Sequence, residues 1–254
     1  MTDDAYEVTL SGVRLAKDFR TNLIIDRYDP VFASMRPTKL KHLRSENSED
    51  AITWNVFRSL RQISPTAWLR RLAEAGIPGH VLTNEEQTVV ELWRRVDPPP
   101  ALLLTGDEGP SEIDVIVESP HWVWFIEAKY QGDIAERTTM REGRDQVLRN
   151  IDVGSYYAGT RQFYFTLLVR SSEQAQLGAA AVAKYSNADT VRKALADHRP
   201  DNLTNFSGST LLTWRHLFDV LTHARDNAAR QDERGYAERA IDWLGSKLTP
   251  RLVD

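Results

Sequence analysis

Residues 101–130 read ALLLTGDEGP SEIDVIVESP HWVWFIEAKY, and this stretch decides the fold. Two strand-like runs, Ile113–Glu118 and Trp122–Tyr130, are joined by Ser119-Pro120-His121, a turn that brings the second back antiparallel to the first. A strand sends alternate side chains to opposite faces, so Glu127 and Lys129 emerge side by side while Ala128 points away. Asp114 is expected to share its face with Glu112 and Ile116, leaving Ile113, Val115 and Val117 for the core. Twelve residues lie between Asp114 and Glu127, enough to finish one strand, turn and return beside it. Two carboxylates and an ammonium converging on one sheet face form a site for a hard divalent cation, Mg²⁺ or Mn²⁺, and a phosphodiester.

Working outward, Ser45–Leu60 predicts a helix capped at Ser48, with Ile52, Val56, Phe57 and Leu60 at helical spacing. Ala67–Ala75 predicts a short second helix ended by Gly76 and Pro78. Thr83–Val96 predicts a third, capped by Asn84, with Val89, Val90, Leu92, Trp93 and Val96 as its apolar stripe. Ala101–Thr105 reads as a first strand, before the two already described. Arg141–Tyr157 is expected to be helical and Gln162–Arg170 a buried fourth strand. Three helices, Ala175–His198, Leu211–Arg225 and Tyr236–Leu248, complete the chain. This order predicts an α/β sandwich with a small mixed sheet.

Composition narrows the chemistry. The 254 residues can bury a full core and include no cysteine, which removes disulfides, thiol catalysis and thiolate zinc sites. The six histidines are scattered, so any metal is expected to be held by oxygen. No apolar run approaches a membrane span, and MTDDAYEVTL lacks the basic-then-apolar pattern of a signal peptide; a cytoplasmic location is the expectation. The net charge of −4 does not itself point to nucleic acid. Its distribution is uneven, because residues 14–44 carry eight Lys/Arg against three acids. That arm suits either a phosphate backbone or a solvated surface.

The layout resembles the PD-(D/E)XK nuclease superfamily: Asp114, then Glu127-Ala128-Lys129 as the ExK element, on an antiparallel strand pair flanked by helices. The resemblance spans residues 45–170 and implies a restriction-endonuclease-like αβββαβ core. The proline usually written before the first acid is absent, Ile113 standing there. It divides the chain into a basic N-terminal arm (1–44), a core (45–200) with a helical insertion (61–100), and C-terminal helices packed on the core (201–254). It implies a Mg²⁺-dependent deoxyribonuclease, most simply an endonuclease, with nucleic acid as partner. Asp114 and Glu127 would hold the metal, with Lys129 beside the reacting phosphate. In the family a glutamate from the first core helix often completes the metal site. Glu49 is the first choice here, and Glu86 or Glu91 the alternatives. A polar residue on the helix after the third strand is also common; Gln146 fits, with Asn150 one turn on, and Arg144 and Arg149 as phosphate contacts.

Rival readings remain at this stage. An ExK triplet alone is also what an edge-strand salt bridge looks like. Here it closes an apolar, aromatic strand, where a buried carboxylate needs cationic compensation. A nuclease-like fold could serve as a catalytically silent binding or scaffold module, and the final helices could pack on a second subunit. No DNA-reading motif is evident, so specificity would come from the domain's own surface, a homodimer or a protein partner.

Overall fold

The computed structural model describes residues 5–77, 79, 82–83, 85–106, 108–135, 144–199 and 203–249. An antiparallel hairpin, β1 (Tyr6–Val8) and β2 (Arg14–Ala16), opens the chain. Two 3₁₀ turns and a short helix, α1 (Pro37–Leu43), lead to α2 (Glu49–Arg61). α2 forms as expected, with the Ser48 hydroxyl accepting from the Ala51 N–H at 3.1 Å and Glu49 and Asp50 in the first turn. α3 (Leu69–Gly76) follows; Pro78 and Asn84, the expected stop and cap nearby, lie outside the described residues.

Residues 83–96 overturn the expected helix. Glu85–Gln87 is a 3₁₀ turn, and Val89–Val96 is β3, an edge strand of the main sheet. The helix-like pattern arises at one residue. Trp93 sits at φ 57°, in the left-handed region that bulky residues rarely adopt. The β3–β4 ladder pairs Leu92 with Val115 and Arg94 with Ile113 but skips Trp93 opposite Asp114. This break resets the alternation of side chains, so the buried positions become Val90, Trp93 and Val96, a spacing close to that of a helix. The supposed helical insertion 61–100 thus contains part of the central sheet.

The ALLLT run is also reversed: it forms a helix, α4 (Pro100–Thr105). Pro100 occupies the first turn, where its missing N–H costs nothing, and Gly106 closes the helix at φ 73°. β4 (Ser111–Glu118) and β5 (Trp122–Ala128) then form the expected antiparallel pair, followed by α5 (Gln146–Ala158) and β6 (Gln162–Val169). The single expected helix 175–198 is two, α6 (Gln176–Tyr185) and α7 (Ala188–Leu195), because the Asn187 side chain caps a new helix on Asp189. Residues 206–213, placed partly in a helix by sequence, form β7 (Phe206–Thr213) before α8 (Trp214–Asn227) and α9 (Gln231–Leu248). The C-terminal segment therefore completes the sheet as well as covering it.

The molecule is an α/β fold around a five-stranded mixed sheet in the order β3-β4-β5-β6-β7. β4 runs antiparallel to both of its neighbours, β3 and β5, and β6 and β7 run parallel to β5. Helices α2, α3, α8 and α9 bury one face against Val115, Val117, Trp124 and Ile126. Helices α5, α6 and α7 bury the other against Ile116, Val123 and Phe125. Covered on both faces, β5 is buried along its whole length. No helix among the described residues is long and apolar enough to cross a membrane.

α5 lies unusually close to the sheet because Gly154 has no side chain: a Cβ there would collide with the rings of Phe163 and Phe125. Gly154→Ala should therefore destabilise the protein by about 1–3 kcal/mol, the usual cost of overpacking, despite alanine's better helix propensity. Urea denaturation checks this, and an alanine variant as stable as wild type would mean that the helix can ride up without cost.

Candidate functional site

The site forms where β4 and β5 part. Their ladder runs from Glu118↔Val123 to Val115↔Ile126 and stops. Beyond it, the Ala128 N–H donates to the Asp114 carboxylate (2.9 Å). On its other side β5 stays attached to β6 through Ala128↔Leu168, and the Lys129 N–H donates to the Leu168 carbonyl at 2.7 Å. Strand β6 thus fixes the backbone of the Glu-Ala-Lys triplet while the β4 side opens around Asp114.

Glu127 is only 5% exposed and fully supplied with donors. Its Oε1 accepts from Lys129 Nζ (2.6 Å) and from Gln146 Nε2 (2.5 Å), and its Oε2 from Asn150 Nδ2 (2.8 Å). Gln146 opens α5 and Asn150 lies one turn later, so both project from the same face onto one carboxylate. The Lys129 ammonium also reaches the Ala128 carbonyl at 3.0 Å and Glu49 Oε1 at 3.4 Å. Glu49 arrives from the first turn of α2, and its Oε2 accepts the Tyr130 N–H at 2.9 Å. Asp114, Glu127, Lys129, Glu49 and Gln146 are thus gathered at one place, drawn from β4, the end of β5, α2 and α5.

The other candidates lie elsewhere. Glu86 is exposed on the 3₁₀ turn before β3, and Glu91 pairs with Arg94 at 2.6 Å. Arg144 is no phosphate contact: it is buried, bonded to Glu108 and to Asp152 (2.7 Å). Arg149 is turned to the Gly109 carbonyl (3.2 Å) and toward Glu108. The expected alternation along β4 fails at Asp114. Ile113 and Ile116 join one core and Val115 and Val117 the other, so Ile116 is buried rather than lining the site. Sequence reasoning missed the backbone N–H groups of Ala128 and Tyr130, which no side-chain pattern reveals.

Electrostatics follow from three acids sharing one ammonium. Burial raises the pKa of Asp114 well above the ordinary aspartate range. The charge of Glu127 adds to this, and Lys129 and the Ala128 N–H only partly offset it. Glu49 is raised as well, chiefly by burial, against the pull of Lys129 and the Tyr130 N–H. Burial opposes the charge on Lys129, but Glu127, Asp114 and Glu49 together hold its pKa above that of ordinary lysine.

The donors are hard oxygens, and three carboxylates exceed one cation, a set whose chemistry fits a hard divalent ion. Among the described residues, however, no three His, Asp or Glu side chains stand ready-made as a metal cage. Glu127 and Glu49 are bonded to the ammonium instead, so an ion would have to share them with it.

Comparison with known proteins adds little. No family model matches the chain, and no curated protein matches it. A solved structure described as "Protein of Unknown Function AF1548" aligns with 15% identity over 76% of this chain and 99% of its own. Its TM-score of 0.25 is too low to carry an argument.

One consequence is thermodynamic. A carboxyl that holds its proton more tightly when folded than when unfolded loses stability as pH rises from the unfolded pKa through the folded one. Asp114→Asn keeps an acceptor for Ala128 and removes that cost. It should raise Tm by about 2–4 °C near pH 8, the shift given by roughly 1 kcal/mol in a chain of this size. The gain should shrink as pH falls and vanish below about pH 3, where Asp114 is protonated in both states. Thermal unfolding at both pH values checks this; a lower Tm for the variant at the higher pH would contradict it.

Proposed function

We propose that the protein is a metal-dependent nuclease of the PD-(D/E)XK type, acting on DNA. The observation that carries the reading is the gathering of three acids on the Glu-Ala-Lys segment where β4 and β5 part: Glu127 and Glu49 bond the Lys129 ammonium, and Asp114 bonds the Ala128 N–H between them. The order α2-α3-β3-α4-β4-β5-α5-β6 supports it, since with α3 and α4 taken as insertions it is the αβββαβ succession that the family resemblance implies.

In this reading Asp114, Glu127 and Glu49 would hold Mg²⁺ or Mn²⁺. When bound, such an ion supplies Lewis-acid stabilisation of the phosphoryl oxygens and a more acidic water. The chain's own residues do the rest. Gln146 and Asn150 fix the rotamer of Glu127, so its oxygens are aimed before substrate arrives. The Tyr130 N–H does the same for Glu49, and the Ala128 N–H for Asp114. Lys129 holds a positive charge at the edge of the acid cluster, where it can donate to the charge developing at phosphorus. Its raised pKa keeps it protonated across the neutral range.

A second reading, a silent binding module of the same fold, is favoured by one feature. Every acid of the cluster already has a protein donor, so the site is self-satisfied without an ion.

Cleavage of linear, circular and single-stranded DNA separates the two. The nuclease reading expects cleavage with Mg²⁺ or Mn²⁺, none in excess chelator, and loss in Asp114→Ala and Glu127→Ala variants that remain folded. Lys129→Ala should lose about 10²–10³ in rate, typical of removing one preorganised charge. Glu49→Gln should weaken cleavage sharply, while Glu86→Gln, remote from the cluster, should not. Full cleavage in chelator, or a near-normal rate for Lys129→Ala, would count against the mechanism.

A further inference from the structure

The acid cluster sits within a longer row of groups at one end of the sheet. β3 finishes, β4 begins, and β5 and β6 finish at this same end. In sheet order the row reads Arg95 on β3, Glu112 and Asp114 on β4, Glu127 and Lys129 at the end of β5, and Arg170 just past β6. Two polar clefts open along it. One, of about 520 Å³, lies beside β3 and β4 and is lined by Arg36, Lys39 and Arg95. The other, of about 290 Å³, lies past the ends of β5 and β6 and is lined by Tyr130, Gln131 and Arg170. The N-terminal arm walls both, through Val31–Lys39 in the first and Ser11–Val13 in the second.

The start of α2 stands between them. Asp50, next to Glu49, pairs with Lys39 at 3.2 Å, and Lys39 also bonds Glu112. Asn47, two residues before Glu49, lines the second cleft.

The cations of the row are unequally neutralised. Elsewhere in the arm Arg20 pairs with Asp18 and Arg44 with Glu7. Arg36, Arg95 and Arg170 have no carboxylate partner among the described residues. Arg170 lies over the Tyr130 ring, 5.4 Å from its centroid, and the Tyr130 N–H is itself bonded to Glu49. Open cations therefore flank the cluster on both sides in a chain of net charge −4. From β3 to β6 there are three strand spacings of about 4.8 Å, a span of roughly 14 Å. That exceeds a single phosphate and corresponds to about four steps of axial rise in a duplex at ~3.4 Å each.

We propose that this row is the track of a nucleic-acid strand. Phosphates on one side of the reacting one are gripped by Arg36 and Arg95, and those on the other side by Arg170. The inference rests on the nuclease reading and deepens it: a track that continues past the cluster on both sides takes the interior of a strand rather than its end. The basic arm is then a wall of the track, and only the cations that face the clefts contribute.

The test uses the full chain carrying Asp114→Asn, without metal, and fluorescence anisotropy of labelled single-stranded and duplex DNA across a salt series. Added to that background, Arg36→Ala with Arg95→Ala, or Arg170→Ala, should each weaken binding about tenfold. Each should also lower the slope of log K against log[salt] by about 1 per arginine removed. Arg170→Lys should keep the slope, which separates lost charge from lost packing on Tyr130. Arg27→Ala, an exposed arm cation outside both clefts, should change neither quantity. DNA bound equally well by the cleft variants and their parent would overturn the track while leaving the nuclease reading intact. If no oligonucleotide binds, the track is overturned too, and wild-type cleavage in Mg²⁺ then decides whether the nuclease reading falls with it.

Discussion

Glu127 and Lys129 form an ion pair, 2.6 Å apart, at the buried end of the central strand, and the placing of α5 and of the other acids follows from it. A carboxylate this deeply buried is tolerable only if its charge is paired and its lone pairs are filled. Lys129 meets the first need. Gln146 and Asn150 meet the second, which requires α5 to begin where it does and to lie close on the sheet at Gly154. Removing one member of such a buried pair commonly costs about 3–5 kcal/mol, because the other charge is left uncompensated. The packing of α5 and the electrostatics of the cluster are therefore one constraint. Glu49 and Asp114 add negative charge that one ammonium does not balance, and their raised pKa values express that excess.

A second constraint acts from the opposite side. Trp93 holds a left-handed backbone conformation that costs about 1–3 kcal/mol unless its surroundings enforce it. Those surroundings are aromatic. Trp54 of α2 lies nearly parallel to it, at 5.0 Å between ring centroids and 18° between planes, with Phe32 of the arm packed on both rings. Lys39 lies 4.4 Å from the centre of the Trp93 ring. The arm, the first core helix and the edge strand are thus locked together at the residue opposite Asp114. The break they impose frees Asp114 from the ladder.

Much of the site was legible in the sequence because it depends on period-two geometry within a few residues. Glu127 and Lys129 share a side, Asp114 lies one hairpin earlier, and Ser48 caps the helix that presents Glu49. The polar face of α5 at Gln146 and Asn150 could be read by the same reasoning. The edges of the sheet were not legible. β3 imitates a helix because its alternation is reset at Trp93, and a left-handed tryptophan held by tertiary stacking leaves no local signature. ALLLT carried its true signal in Pro100 and Gly106 rather than in its apolar content. The Arg144–Glu108–Asp152 network was equally hidden, since a buried ion pair joins residues distant in sequence and each reads alone as surface charge.

In the proposed function the acids around Lys129 share a divalent ion. Calorimetric titration of Mn²⁺ at mildly acidic pH, in two buffers of different ionisation enthalpy, tests this most directly. Wild type should bind and release protons, because the ion displaces those that burial keeps on Asp114 and Glu49. Glu127→Gln should lose most of the affinity. Absence of binding by wild type, or binding unchanged in Glu127→Gln, would contradict the account and leave the cluster a self-contained ion pair at the end of a buried strand.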